Sequence, residues 1–171
     1  MGRVKQIIKE LKENDYSSFD EFYNMTSRLV YCVIFNLIKN KDTVEDLMQD
    51  TYLKFLKNIN NINSNQNPNA YLAQIAKNLA INEYNKHKRV VVDDSYFDNL
   101  GEDNKSSNNG IDIGIINYLE GIEKEVVTLK IVGDLKFREI AEIINKPIGT
   151  TQWIYSEAIK KLRKKVGDMY E

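Results

Sequence analysis

Cysteine and histidine are almost absent from this sequence, and their scarcity removes several kinds of site. Cys32 is the only cysteine and His87 the only histidine among 171 residues. A single cysteine cannot form an intramolecular disulfide. No cluster of cysteine and histidine exists that would suggest a metal centre. We therefore expect neither a disulfide framework nor a bound metal.

Long apolar runs are also missing. No stretch of about 18 apolar residues occurs, so we expect no membrane span. The first residues, MGRVKQIIKELKEND, are polar and charged and lack the apolar stretch of a signal peptide. These features predict a cytoplasmic protein.

Catalytic motifs are also missing from the sequence. The eight glycines form no glycine-rich phosphate loop, and no nucleophile stands beside a base in any pattern that we recognise. The sequence therefore disfavours an enzyme and suggests no cofactor.

Charge is abundant but segregated. The net charge is −1, with 24 basic and 25 acidic residues. The segment 76–89 holds 4 basic and 1 acidic residues, whereas the segment 90–116 holds 1 basic and 6 acidic residues. Five of the six residues at 160–165, KKLRKK, are basic. Because local patches rather than net charge decide phosphate binding, nucleic acid remains a candidate partner.

Hydrophobic periodicity predicts an all-α fold of two small helical domains. The expected boundaries are a domain at 1–89, an acidic flexible linker at 90–114 and a second domain at 115–171. Helices are predicted near residues 3–13, 19–40, 43–59, 70–88, 115–120, 122–132, 136–145 and 148–166. The segment NINNINSNQNPN (58–69) has seven asparagines and no charge, which is typical of a polar loop.

In the first domain, Asp42 or Thr43 is expected to cap the third helix. The fourth helix is expected to bury a stripe of Leu72, Ile75, Ala76, Leu79, Ala80 or Ile81, and Tyr84.

The C-terminal pattern "EIAEIINKPIGTTQWIYSEAIKKLRKK" predicts two helices separated by a short turn. Asn tolerates the left-handed conformation that ends a helix, and Pro suits the first turn of the next. Thr151, Tyr155, Ala158 and Leu162 form one apolar stripe, which places Trp153 on the outer face. Two interpretations are open: a helix-turn-helix that binds DNA, or a helical hairpin that only packs and binds no DNA.

The N-terminal half carries two further patterns with open interpretations. Glu45, Asp46, Gln49 and Asp50 form an acidic stripe that is a docking surface, a solvated face or, with less support, a metal site. The fourth helix ends in "AINEYNKHKR" after the asparagine-rich loop. Such a cationic track with nearby aromatics suits single-stranded nucleic acid, or it is a core helix with a solvated tail.

The order of these blocks gives a resemblance. "TVEDLMQDTYLKFL", "NAYLAQIAKNLAINEYNKHKR", an acidic linker and "EKEVVTLKIVGDLKFREIAEIINKPIGTTQWIYSEAIKKLRKK" together resemble the bacterial RNA polymerase sigma-70 family, in its small two-domain extracytoplasmic-function type. The resemblance covers about residues 16–89 and 115–166. It implies a sigma factor that binds core polymerase and directs promoter recognition, DNA melting and transcription initiation. The alternatives are a stand-alone helix-turn-helix regulator and a polymerase-binding protein without promoter reading.

The resemblance also implies partners and sites. The partners would be core RNA polymerase, through its largest-subunit clamp and its flap, promoter DNA and an anti-sigma factor. The residues similar to the polymerase-docking helix are Asp46, Leu47, Gln49, Asp50 and Leu53. Those implied for the −10 element are Asn63, Asn65, Tyr71, Lys77, Asn78, Lys86, Lys88 and Arg89. Those implied for the −35 element are Lys136, Arg138, Thr150, Gln152, Trp153, Ser156 and Lys160.

Some positions depart from the family pattern. Gln152, Ile154 and Glu157 stand where the family commonly has basic residues. We therefore expect up to three fewer cationic contacts and a flatter salt dependence of DNA binding. Asn82 and Asn85 stand where an Asp and an Arg are often found, so an ion pair at that spacing is lost as a unit.

Overall fold

The structure is a computed structural model that describes residues 2–90 and 113–170, without the side chains of residues 89, 90 and 113. Seven α-helices follow one another in the described residues: α1 Gly2–Lys12, α2 Phe19–Phe35, α3 Lys41–Lys57, α4 Pro68–Val90, α5 Gly121–Val127, α6 Phe137–Ile144 and α7 Ile148–Tyr170. Shorter helical turns cover Ile59–Asn61, Ile113–Tyr118 and Thr128–Val132. The predicted all-α class is confirmed, since the described residues contain no strand. Most of the predicted linker, residues 91–112, lies outside the described residues.

The N-terminal half is built on α2, α3 and α4, with α1 packed on its side. Phe22 stacks on Phe55 with ring centroids 5.2 Å apart, and both rings are fully buried. Tyr52 is also buried, and its hydroxyl shares a 2.7 Å hydrogen bond with Thr26. Aromatic and aliphatic side chains thus fix how these three helices cross, because such packing tolerates little change in volume.

The helix starts and ends reflect local capping chemistry. The start of α3 differs from the prediction, because Asn40 rather than Asp42 or Thr43 is the capping residue. Its side chain accepts a 3.0 Å hydrogen bond from the Thr43 amide. Asn145 ends α6 with φ 55°, the left-handed conformation that the sequence predicts there.

The fourth helix is buried along its first three turns only. Leu72, Ala76 and Ala80 are fully buried, as the periodicity predicts. Tyr84, which we expected in the core, is 46% exposed. The reason is that α4 is longer than the helices it packs against, so residues 84–88 all lie exposed beyond them.

The two halves share one continuous core. Buried side chains of the C-terminal half, including Leu129, Leu135 and Ile140, belong to the same cluster as those of α2, α3 and α4. A second, smaller cluster holds Ile116, Leu119, Val127, Ala158 and Leu162. The division into two domains therefore remains a prediction, and the structure shows the halves packed together.

Candidate functional site

The predicted docking residues lie on the outer face of α3. Asp46, Gln49 and Asp50 are exposed, and Leu53 is 65% exposed. Their spacing of three and four residues places them side by side along one helix face. Leu47 differs from the other four, because it is only 6% exposed and packs in the core beneath them. The four exposed residues therefore form an acidic surface with an exposed leucine at its C-terminal end, called the α3 surface below.

The residues predicted for the −10 element do not gather in one place. Asn63 and Asn65 are exposed on the loop before α4, and Lys86 and Lys88 are exposed near its end. The backbone of Arg89 is helical, and its side chain is not described. Nine residues separate Lys77 from Lys86, which is about 13 Å along a helix. The basic end of α4 is thus a separate patch from its middle.

In the middle of α4, the predicted residues differ in accessibility. Tyr71 is half-buried and packs against Phe55 with ring centroids 5.9 Å apart. Asn78 is exposed and accepts a 3.1 Å hydrogen bond from Gln74. Tyr71 is therefore partly a core residue, whereas Asn78 is accessible from solvent.

Lys77 faces the C-terminal half of the protein. Its ammonium lies 2.7 Å from Oε1 of Glu125 and donates a 2.9 Å hydrogen bond to the carbonyl oxygen of Ile143. The Lys77 side chain is 18% exposed and the Glu125 side chain 28% exposed. Lys77 thus joins α4 to α5 and to the end of α6, and little of it is open to a ligand.

The start of α4 makes a second set of contacts across the same joint. Asn67 donates a 3.1 Å hydrogen bond to Oε2 of Glu139, and Asn69 donates a 3.4 Å hydrogen bond to the carbonyl oxygen of Gly133. The buried Oδ1 of Asn69 has no hydrogen-bond partner among the described residues. We call the contacts of Asn67, Asn69 and Lys77 with Gly133, Glu125, Glu139 and Ile143 the α4 joint. No local sequence pattern predicts this joint, because 48 or more positions separate the partners.

Two lysines meet at another part of the contact between the halves. The Lys39 ammonium donates a 2.6 Å hydrogen bond to the Phe35 carbonyl and lies 4.2 Å from the centre of the Phe35 ring. Burial, followed by repulsion from Lys124, lowers the pKa of Lys39 to about 8. Burial also lowers the pKa of Lys124. Like charges at Lys39, between α2 and α3, and at Lys124 on α5 therefore oppose the packing of the two halves.

The residues predicted for the −35 element lie on α6 and α7. Lys136 precedes α6, where its backbone amide donates a 2.8 Å hydrogen bond to Glu139. Arg138 is exposed on α6. On α7, the exposed residues are Thr150, Gln152, Trp153, Ser156 and Lys160. The helix-turn-helix therefore presents all seven predicted residues to solvent, and we call the exposed side of α7 the α7 face.

The buried side of α7 corrects one expectation. Ile154 is 6% exposed and packs in the main core, so it is not a lost cationic contact. Thr151, Ala158 and Leu162 are buried as predicted, and Tyr155 is half-buried against Phe137. The number of absent cations on the outside of α7 is therefore at most two, at Gln152 and Glu157.

Metal sites and membrane spans are both absent from the described residues. No group of three or more histidine, cysteine, aspartate or glutamate side chains in residues 2–90 and 113–170 is arranged to hold a metal ion. No helix in those ranges is long and apolar enough to cross a membrane.

Comparison with known proteins gives a consistent result. Residues 22–90 match the family model described as Sigma-70 region 2. The chain is 26% identical to the ECF RNA polymerase sigma factor SigW of Bacillus subtilis, covering 97% of this chain and 98% of that protein. It is 23% identical to the ECF RNA polymerase sigma factor BldN of Streptomyces coelicolor, covering 98% of this chain and 67% of that protein.

Solved structures share the fold. The sigma factor RpoE in complex with the anti-sigma factor NepR from Bartonella quintana superposes with a TM-score of 0.70 at 21% identity, over 87% of this chain and 96% of that chain. CnrH in complex with the cytosolic domain of CnrY gives a TM-score of 0.63 at 15% identity, over 96% of this chain and 97% of that chain.

Proposed function

The chain belongs to the sigma-70 family, in its extracytoplasmic-function type, and we propose how its surfaces divide the work of transcription initiation. It is a sigma factor that directs RNA polymerase in the initiation of transcription. The observation that carries this conclusion is that the family match covers residues 22–90, which contain the helices that form the α3 surface. We propose that the protein itself is not an enzyme and that it acts in the cytoplasm, where polymerase and promoter DNA meet.

The α3 surface is the proposed docking site for core polymerase. Asp46 and Asp50 offer two carboxylates with no ion-pair partner within residues 2–90 and 113–170, and Leu53 offers an exposed apolar side chain between them and the loop. An exposed apolar side chain beside unpaired charges suits a specific protein contact better than a solvated face does. The clamp of the largest polymerase subunit is the proposed partner, with the flap as a second contact.

The α4 residues are the proposed surface for the −10 element. Exposed asparagines of the loop and the side chain of Asn78 have the donors and acceptors that capture unstacked bases. Lys86 and Lys88 supply cations for the phosphate backbone. We propose that Lys77 joins this surface only after the α4 joint opens, because its ammonium is otherwise held by Glu125 and Ile143.

The α7 face is the proposed surface for the −35 element. It already lies open in the folded protein, so promoter reading there needs no rearrangement of the two halves. An anti-sigma factor is a further proposed partner, since RpoE was solved with one. Such a partner would cover the α3 surface or enter between the two halves.

Reconstitution with core polymerase tests the proposed function. We expect wild-type protein to bind core polymerase and to direct run-off transcription from members of a random promoter library. Asp46→Arg and Gln49→Ala should lower the affinity for core polymerase. Glu13→Arg is the matched control, because Glu13 is exposed at the end of α1 and should leave that affinity unchanged.

The outcomes separate the three functions. A wild-type protein without affinity for core polymerase would exclude a sigma factor, and DNA binding without polymerase would then indicate a stand-alone regulator. A protein that binds core polymerase but starts transcription at no promoter would be a polymerase-binding protein without promoter reading.

A further inference from the structure

The α7 face changes its chemistry along the helix. Gly149, Trp153, Ser156, Lys160 and Lys164 are all exposed and follow one another at spacings of three and four residues, so they form one stripe. The stripe has no charge through Ser156 and carries cations from Lys160 onward. At 1.5 Å per residue, about 10 Å of helix separates Trp153 from Lys160.

Trp153 has no evident part in folding. Its side chain is 65% exposed, while the buried side of α7 is formed by other residues, including Ile154 and Ala158. Among the ring contacts and cation–π contacts of the described residues, none involves Trp153. The exposed indole ring of Trp153 is therefore left free for a ligand.

Gly149 keeps the surface next to Trp153 clear. A Cβ atom built on Gly149 would have no other atom within 4 Å, and the backbone φ there is not positive. The fold therefore does not require glycine at this position. Helical side chains lean toward the N-terminus of their helix, so the indole of Trp153 lies toward the turn that contains Gly149. A base edge has room to approach the ring from that side.

The charges around this surface indicate DNA as the ligand. Lys160 and Lys164 lie on the same stripe as Trp153, and the exposed Arg138 and Lys146 lie on α6 and in the turn. Two acidic residues accompany these cations: Glu157 is paired with Lys160 at 2.9 Å, and Glu142 is exposed on α6 beside Arg138 and Lys146. In a helix-turn-helix, the first turns of the second helix meet base edges, and flanking cations meet phosphates. A neutral apolar surface in the first turns is thus placed for bases.

We propose that Trp153, together with the clear surface over Gly149, reads the 5-methyl group of a thymine in the −35 element. The inference rests on the proposed function and specifies what its −35 surface recognises. Thymine is the one base that presents a methyl group in the major groove, and apolar side chains recognise it there. Gln152, exposed on the same turn, has the amide donor and acceptor that pair with adenine. The expected site therefore contains A·T pairs.

The test replaces thymine by deoxyuridine, which removes only the 5-methyl group. A −35 sequence is first selected from a random library with reconstituted holoenzyme, and each thymine in it is then substituted in turn. For wild-type protein we expect promoter affinity to fall about fourfold at one position, the factor that burial of one methyl group supplies. For Trp153→Ala we expect thymine and deoxyuridine templates to bind alike.

Three further variants make the result specific. Trp153→Phe should keep part of the discrimination, because a smaller aromatic ring still contacts the methyl group. Gly149→Leu should weaken binding to the thymine template, since the added side chain fills the space that the base edge uses. Tyr170→Ala is the control, because Tyr170 is 88% exposed at the far end of the same helix and should change nothing.

Several outcomes would overturn the inference. If no deoxyuridine substitution affects wild-type binding, or if Trp153→Ala retains the discrimination, Trp153 does not read a methyl group. If Trp153→Ala weakens both templates equally and the discrimination persists, the ring contacts protein or sugar instead. If the holoenzyme still transcribes normally, these results overturn only the role of Trp153 and leave the proposed function intact. If the wild-type protein starts transcription at no promoter, the proposed function itself is refuted.

Discussion

The middle of α4 and the outer side of α7 are both predicted to contact promoter DNA, yet they differ in how accessible they are to a ligand. Lys77 on α4 is 18% exposed and is held by Glu125 and the Ile143 carbonyl. Trp153 on α7 is 65% exposed and has no ring partner among the described residues. One surface is thus occupied by the protein itself, and the other is free.

The difference indicates an order of events. In the arrangement described, the α7 face can meet DNA at once, whereas the middle of α4 must first lose its contacts with α5 and α6. Those contacts combine the polar pairs of the α4 joint with apolar packing in the shared core, and the Asn69 Oδ1 atom at the joint has no hydrogen-bond partner among the described residues. Leaving a buried polar atom without a hydrogen bond costs about 1–3 kcal/mol. When the joint opens, water can bond to the Asn69 Oδ1 atom, and this gain offsets part of the free energy lost with the other contacts.

Among changes at the contact between the two halves, the largest expected effect comes from Gly133, which packs against α2. A Cβ there would lie 2.7 Å from the Leu129 carbonyl oxygen and 3.0 Å from Cδ1 of Leu29 on α2. We expect Gly133→Ala to lower the free energy of unfolding by about 1–3 kcal/mol, as overpacking does. Urea unfolding followed by circular dichroism measures it.

The control for this change is Gly149→Ala on the open face. Its Cβ has no atom within 4 Å, and we expect a gain of about 0.5–1 kcal/mol from the reduced freedom of the unfolded chain. If both substitutions change the free energy of unfolding by the same amount and in the same direction, Gly133 is not more closely packed than Gly149.

Removing the charge of Lys77 should loosen the α4 joint. In Lys77→Met, the Glu125 carboxylate and the Ile143 carbonyl both lose a partner. We expect a loss of about 1 kcal/mol, since both side chains keep some contact with water. Fluorescence energy transfer between labels on α3 and α7 should also report a longer distance between the halves.

Lys86→Met is the control on the same helix. Lys86 is exposed and makes no described contact, so neither stability nor the distance should change. The role assigned to Lys77 is wrong if the two methionine variants behave alike.

Raising the pH should strengthen the packing of the halves through Lys39. Its pKa is lowered from 10.5 to about 8 in the folded protein, so the folded state binds fewer protons than the unfolded state between these values. The contribution of Lys39 to the free energy of unfolding therefore rises with pH between about 8 and 10.5. The effect is small, because the Lys39 side chain is only partly buried and keeps contact with solvent.

The difference between wild type and Lys39→Met isolates this contribution. Tyr31, Cys32 and Lys124 also have pKa values shifted by burial, and these groups remain in both proteins. Parallel pH profiles from pH 7.5 to about 10.5 for the two proteins would show that Lys39 does not contribute.

The smallest expected effect on stability belongs to Trp153. Trp153→Ala should change the free energy of unfolding by less than about 0.5 kcal/mol, because exposed side chains contribute little. Leu162→Ala, nine residues further along α7 and 6% exposed, should cost about 2–5 kcal/mol. A large loss for Trp153→Ala would mean that the ring stabilises the fold and would weaken its assignment to DNA.

Local patterns predicted most of the helices because a helix is largely encoded by neighbouring residues. The αL conformation of Asn145 and the buried stripe of Thr151, Ala158 and Leu162 follow from residue type and spacing. Predictions failed where neighbouring elements decide burial. Tyr84 has the spacing of a core residue, but no helix extends far enough to cover it, and Ile154 is buried although we placed it among the lost cationic contacts.

By itself, the sequence determined the all-α class, the helix-turn-helix and the outward direction of Trp153, since each follows from periodicity within one segment. The tertiary structure alone decided that Lys77 is held by Glu125 and Ile143. The physical reason is that a pairing between positions 48 and 66 residues apart depends on how whole helices pack. That packing is set by the shared core of α2, α4, α5 and α6, which no single segment encodes.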